Sequence, residues 1–244
     1  MSKNPLIKFK KDLKDPKKHE IVKNWILNLL PSRKIIFLGL FFYFLGLFLA
    51  SGFPVKSPIP FGFGFLTGNL NVQISDPTWT LEYFRMQFLD YLGNVTGNIF
   101  MSNMQVVLLC IFSGFYIIPS ILFGLLSFSG ALIYTLTTNM GIKGIVMYLG
   151  LFHLHLEILA ALLAIDAFIV FYKSIILSIW KISFKPFKES FQKEFFPLIF
   201  KITMILALAA VLEVFWSTWW VYVFTHPYVS WWDFYLGVFS AKVF

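Results

Sequence analysis

"LFHLHLEILAALLAIDAF", residues Leu151 to Phe168, has the length and apolar character of a membrane-crossing helix, yet His153, His155, Glu157 and Asp166 sit inside it. Hydrocarbon offers these groups no hydrogen bonds, and a lone carboxylate there costs several kcal/mol, so each needs a partner from the chain itself. His153 and Glu157 are four residues apart and share one helix face. Ala160, Ala161 and Ala164 extend that face with small side chains, where a second helix can approach closely. Asp166, nine residues beyond Glu157, comes about half a turn round the helix, and His155 is also off the Glu157 face.

The rest of the chain has the same character. Its 244 residues are 58% hydrophobic, 20% aromatic and 13% charged, whereas soluble domains carry about 25% charged residues. The expected fold is an all-α integral membrane protein, a bundle of about five transmembrane helices with amphipathic helices at the interfaces. A transmembrane barrel is excluded, because it is written in alternating segments of about 10 residues and these apolar runs are long and continuous. Cys110 is the single cysteine, so an intramolecular disulfide is excluded, and it reads as a small buried hydrophobe.

Residues 1–34 hold ten of the twenty basic residues and no span. Within them Ile21, Val22, Trp25, Ile26, Leu29 and Leu30 fall at helical spacing before Pro31, which predicts an amphipathic helix on anionic lipid of the cytoplasmic leaflet. Residues 35–53 read as a retained first anchor. Residues 54–98 read as an extracytoplasmic loop followed, from Asp76-Pro77, by an amphipathic helix too charged to span. Asn94 to Thr96 matches a glycosylation sequon, a three-residue pattern common by chance.

The membrane core, 99–224, is expected to hold four spans, at 99–118, 120–138, 145–172 and 197–224. An aromatic segment, 225–244, follows at the outer interface. Gly114, Pro119 and Gly130 interrupt the core, marking either close helix packing with a tight turn or a broken helix at a binding site. Sixteen basic residues fall on one side of this layout and four (Lys56, Arg85, Lys143 and Lys242) on the other. The positive-inside rule therefore places the N-terminus in the cytoplasm and the C-terminus outside, in a multi-pass cell-membrane protein. Trp219, Trp220, Trp231 and Trp232 then gather as an outer aromatic belt. The net charge of +8 follows this sidedness and is not a nucleic-acid footprint.

The last span repeats the pattern of the first quoted stretch. Ala209 and Ala210 lie one turn before Glu213, and Ser217 lies one turn after it. Counted from the outer ends of their spans, Glu157 and Glu213 come to similar depths, so they can share one polar site with His153. Two readings stay open: hydrogen-bonding glue between helices, or an ion- or proton-handling site. His153, His155 and Glu157 are too few ligands for a metal, and no catalytic or cofactor-binding spacing is present.

Three segments in order resemble the stage II sporulation protein M family: "FMSNMQVVLLCIFSGFYIIPSILFGLLSFSGALI" (100–133), "LFHLHLEILAALLA" (151–164) and "LALAAVLEVFWST" (206–218). The first has an Asn-containing helix start followed by two glycine-bearing stretches. The second has the family's His-x-x-x-Glu at His153 and Glu157, and the third its Ala-Ala-x-x-Glu ending at Glu213. Leu151-Phe152 departs from the family, which often has proline before the histidine. The resemblance covers about residues 99–220 and implies five spans and a non-enzymatic scaffold that assembles partner proteins at the membrane. Such a scaffold is expected to self-associate through its small-residue faces and to take membrane or extracytoplasmic protein partners.

Overall fold

From Phe152 to Trp180 the chain contains neither glycine nor proline, and it forms one uninterrupted helix of 29 residues. This helix is the axis of the computed structural model, which describes residues 30–52, 81–112 and 118–227. In chain order the helices are α1 (Arg33–Gly52), α2 (Leu81–Phe112), α3 (Ile118–Met140), α4 (Ile142–Leu149) and α5 (Phe152–Trp180). A single rod follows: α6 (Lys185–Ser190), a π turn (Phe191–Phe195), α7 (Phe196–Val211), a second π turn (Leu212–Ser217) and α8 (Thr218–Thr225). Among the described residues there is no strand, and four helices are long and apolar enough to cross a membrane: α1, Leu92–Phe112 of α2, α5 and the rod over Lys185–Phe224. The expected N-terminal amphipathic helix, Gly114, Trp231, Trp232 and most of the 225–244 segment lie outside the described residues.

α5 packs against α2 and α7 on one side and touches α1 and α3 on the other. Val107, Cys110 and Ile111 of α2, Ala160, Ala164 and Ala167 of α5, and Ile202 and Leu206 of α7 form the main buried core. The alanines matter because apolar side chains gain little by leaving lipid for protein; close approach of backbones and interhelical hydrogen bonds hold such bundles.

α1 and α3 cross with backbone close against backbone. A Cβ on Gly46 would meet the Ser127 carbonyl, and one on Gly130 would meet the Tyr43 carbonyl, so both positions need a residue without a side chain. Beside the crossing Ser127 Oγ donates to the Phe42 carbonyl at 3.1 Å, and the Phe42 and Phe123 rings stack with centroids 4.0 Å apart. Gly130 thus marks close helix packing, within α3. Pro119 lies in the first turn of α3, where a missing N–H is harmless.

Three expected boundaries move. The amphipathic helix and the second span are one helix, α2, which runs through Gly93, Asn94 and Gly97. Each glycine weakens a helix by about 1 kcal/mol without breaking it, so the expected boundary at 98/99 falls inside a helix. The expected 145–172 span is broken at Gly150-Leu151 into α4 and α5. The last rod begins at Lys185, not Pro197: Pro186 starts it, and the Phe191–Phe195 π turn precedes Pro197, whose ring would clash in a regular turn.

Asp166 has a task far from the polar face. Its Oδ2 accepts the Ser32 backbone N–H at 2.7 Å, immediately before α1. A carboxylate there complements the unpaired N–H groups and positive dipole end of α1, and ties that helix to α5.

Candidate functional site

α5 and the rod are antiparallel, joined by the turn at 181–184, and their facing residues pair in opposite directions. His153 Nδ1 and Ser217 Oγ lie 2.6 Å apart. One turn further along α5 and one turn back along the rod, the Glu157 and Glu213 carboxyl groups come within electrostatic range of each other. At the next turn Ala160 and Ala161 on α5 and Ala209 and Ala210 on the rod are all buried. Small residues bring the two helices close one turn from the two carboxyl groups.

α2 completes the site. Asn103 Nδ2 donates to Glu157 Oε1 at 2.7 Å, so Glu157 holds the centre, between an amide on α2 and a carboxyl group on the rod. Glu213 sits in the second π turn, where the widened backbone advances the side chains beyond it by a fraction of a turn. Thr218 Oγ1 donates to the Glu213 carbonyl at 2.8 Å, which helps satisfy the backbone that the π turn loosens. His153, Glu157 and Glu213 are all partly buried. Among the described residues, every fully buried side-chain nitrogen or oxygen has a hydrogen-bond partner.

The helix break at Gly150-Leu151 forms one wall of the site. A break leaves carbonyls without helical partners, and two tryptophans of the rod supply donors. Trp216 Nε1 donates to the Gly150 carbonyl at 2.9 Å, and Trp220 Nε1 to the Met147 carbonyl at 3.0 Å. Phe152 stacks on Trp216, and a Cβ on Gly150 would run into the Trp220 indole. Trp220 therefore turns inward, at variance with its expected place in an outer belt, while Trp219 is half exposed. The break also shortens α5, so Glu157 lies only about five residues, roughly 8 Å, from the helix start.

His155 belongs to a second polar group. Its ring meets Tyr148 edge-on at 5.3 Å. The Tyr148 hydroxyl lies 2.7 Å from Ser129 Oγ and is hydrogen-bonded to Tyr43. This network joins α1, α3, α4 and α5 beside the Gly130 crossing.

Of the residues expected to act together, the structure brings His153, Glu157, Glu213 and Ser217 to one place and leaves Asp166 and His155 out of it. Asn103, Gly150, Trp216 and Trp220 complete the site; the sequence marked Asn103 only as part of a helix start and Trp220 only as a belt residue, and assigned Gly150 and Trp216 no role. An amide in an apolar run was the available signal for Asn103; the tryptophans carried none, since an inward and an interfacial indole read alike. Among the described residues no group of three or more His, Cys, Asp or Glu side chains could hold a metal ion. No family model, curated protein or solved structure matches the chain.

Proposed function

We propose that this chain is a polytopic membrane scaffold, an assembly protein of the stage II sporulation protein M type, with five spans, a cytoplasmic N-terminus and an extracytoplasmic C-terminus. α3, 23 residues long, supplies the fifth span. The observation that carries the reading is convergence. The three separated segments that resemble the family contribute Asn103, the His153 and Glu157 pair, and Glu213 with Ser217, and these meet at one point between α2, α5 and the rod. A site made from mutually bonded side chains of three helices fixes their packing, which is what a scaffold requires of its core. The alanine faces expected to join copies are used inside the protomer. Self-association therefore falls to outward rows such as Phe37, Phe41, Phe44 and Phe48 on α1, all exposed.

A second reading has its own support. Two carboxyl groups within electrostatic range of each other, one of them in a π turn and both near a helix break, are also the parts of a proton or cation pathway. Purified protein in liposomes separates the two. The scaffold reading expects no proton or monovalent-cation flux above empty vesicles, from wild type or Glu157→Gln. A flux present in wild type and abolished in an equally well-assembled Glu157→Gln protein replaces the scaffold with a transporter.

A further inference from the structure

Among the described residues α5 and the rod outrun the other helices. The Phe112 carbonyl at the end of α2 accepts a bond from Tyr172, and α1 begins beside Asp166, yet α5 continues to Trp180. From Asp166 to Trp180 is about 21 Å along the axis. The two sides of this projecting hairpin differ. On α5, Ile169, Lys173, Ile176 and Trp180 follow at four-, three- and four-residue steps, and all are exposed. On the returning limb most exposed side chains are charged or polar (Lys185, Lys188, Glu189, Gln192, Lys193 and Glu194), with Phe184, Phe191 and Phe196 among them. Between the limbs Ile182 is 94% exposed with φ at 48°, a left-handed conformation that a β-branched residue rarely takes, and Trp180 is 81% exposed.

We propose that this hairpin is an amphipathic anchor that lies obliquely on the inner leaflet and binds anionic phospholipid headgroups. The α5 stripe enters the boundary between headgroups and acyl chains, and the charged limb faces water. Three features favour lipid over a protein partner. The apolar stripe starts at Ile169, at the level where α1 and α2 end, so it lies at the edge of the membrane-crossing bundle. Lys173 stands within the stripe, where its stem can lie along lipid while its ammonium reaches a phosphate. Lys181, exposed at the turn, adds a second cation on the lipid side, and the hairpin from Lys173 to Glu194 carries five lysines against two glutamates, a balance that draws it to an anionic surface. The Lys185–Glu189 pair, at 4.0 Å and largely exposed, leaves that balance nearly intact. This inference is independent of the scaffold reading; it rests on the chain crossing a bilayer and, for the leaflet, on the orientation proposed above.

The test is tryptophan quenching in full-length protein held in nanodiscs of mixed phosphatidylcholine and phosphatidylglycerol, with one lipid or the other brominated near the glycerol. Subtracting the Trp180→Phe protein isolates the Trp180 signal from the other seven tryptophans. The expected result is stronger quenching of Trp180 by brominated phosphatidylglycerol than by brominated phosphatidylcholine. In the Lys173→Gln, Lys181→Gln double variant that preference falls by up to about fivefold for each lysine removed. Equal quenching by the two lipids, a preference indifferent to the lysines, or a Trp180 that neither lipid reaches, as for a hairpin held by an acidic protein surface, overturns the proposal. Quenching of the remaining tryptophans by brominated phosphatidylcholine reports membrane insertion separately.

Discussion

Glycine 150 shows how much one absent side chain can decide. Its place at the α4–α5 break lets the Trp220 indole lie against the backbone and donate to the Met147 carbonyl, while Trp216 donates to the carbonyl of Gly150 itself. A methyl group here must push the indole away, and the Met147 carbonyl then keeps only its bond from the Gly150 N–H. Gly150→Ala is therefore expected to destabilise the protein by about 1–3 kcal/mol, the usual range for overpacking. Thermal unfolding in detergent measures it; a variant as stable as wild type would mean that the indoles do not hold the break. The same kind of dependence runs through Asn103, whose amide is the donor seen on Glu157. No residue beside Asn103 in the sequence points to a glutamate 54 positions later, and a contact of that kind becomes visible only when α2 is laid against α5.

At the scale of helices, pattern in the sequence was a good guide to faces and a poor one to ends. The His153–Glu157–Ala161 face and the Ala209–Glu213–Ser217 face follow from a period of 3.6, and the structure sets them opposite one another. Boundaries depend instead on what packs nearby. Gly93 and Gly97 look like a place to stop, but α2 passes through them; Gly150 looks like one residue of a long apolar run, but the tryptophans of another helix stabilise a break there. Glycines also divide by surroundings that no local pattern encodes. Gly130 lies against the Tyr43 carbonyl, whereas a side chain at Gly124, two turns earlier in the same helix, would meet nothing within 4 Å. Gly130→Leu should force α1 from α3 and Gly124→Leu should leave the pair alone. Cysteine cross-linking between α1 and α3 in membranes checks this, with efficient cross-linking expected in Gly124→Leu and loss of it in Gly130→Leu. If both variants cross-link like wild type, the two helices do not meet at Gly130.

The whole molecule is set by a mismatch of lengths. The rod from Lys185 to Thr225 is about 60 Å long, twice the hydrocarbon thickness of about 30 Å, whereas α1 at 20 residues matches that thickness. One end of the rod must leave the hydrocarbon. The end beyond α1 and α2 is the one with the lysines, and the orientation proposed above keeps it in the cytoplasm. In that orientation the opposite end, where α8 packs beside α4, faces outward. This arrangement makes a labelling experiment unusually clean, because Cys110, the single native thiol, is fully buried in the core. An impermeant thiol reagent added to intact cells should label a cysteine placed at Ile142 or His226, both exposed at the outer end, and should miss one at Ser183 in the hairpin turn. Permeabilising the cells should bring Ser183→Cys to the level of the other two. Labelling of Ser183→Cys from outside, with Ile142→Cys and His226→Cys protected, would invert the molecule in the membrane and transfer the lysine-rich hairpin to the outer leaflet.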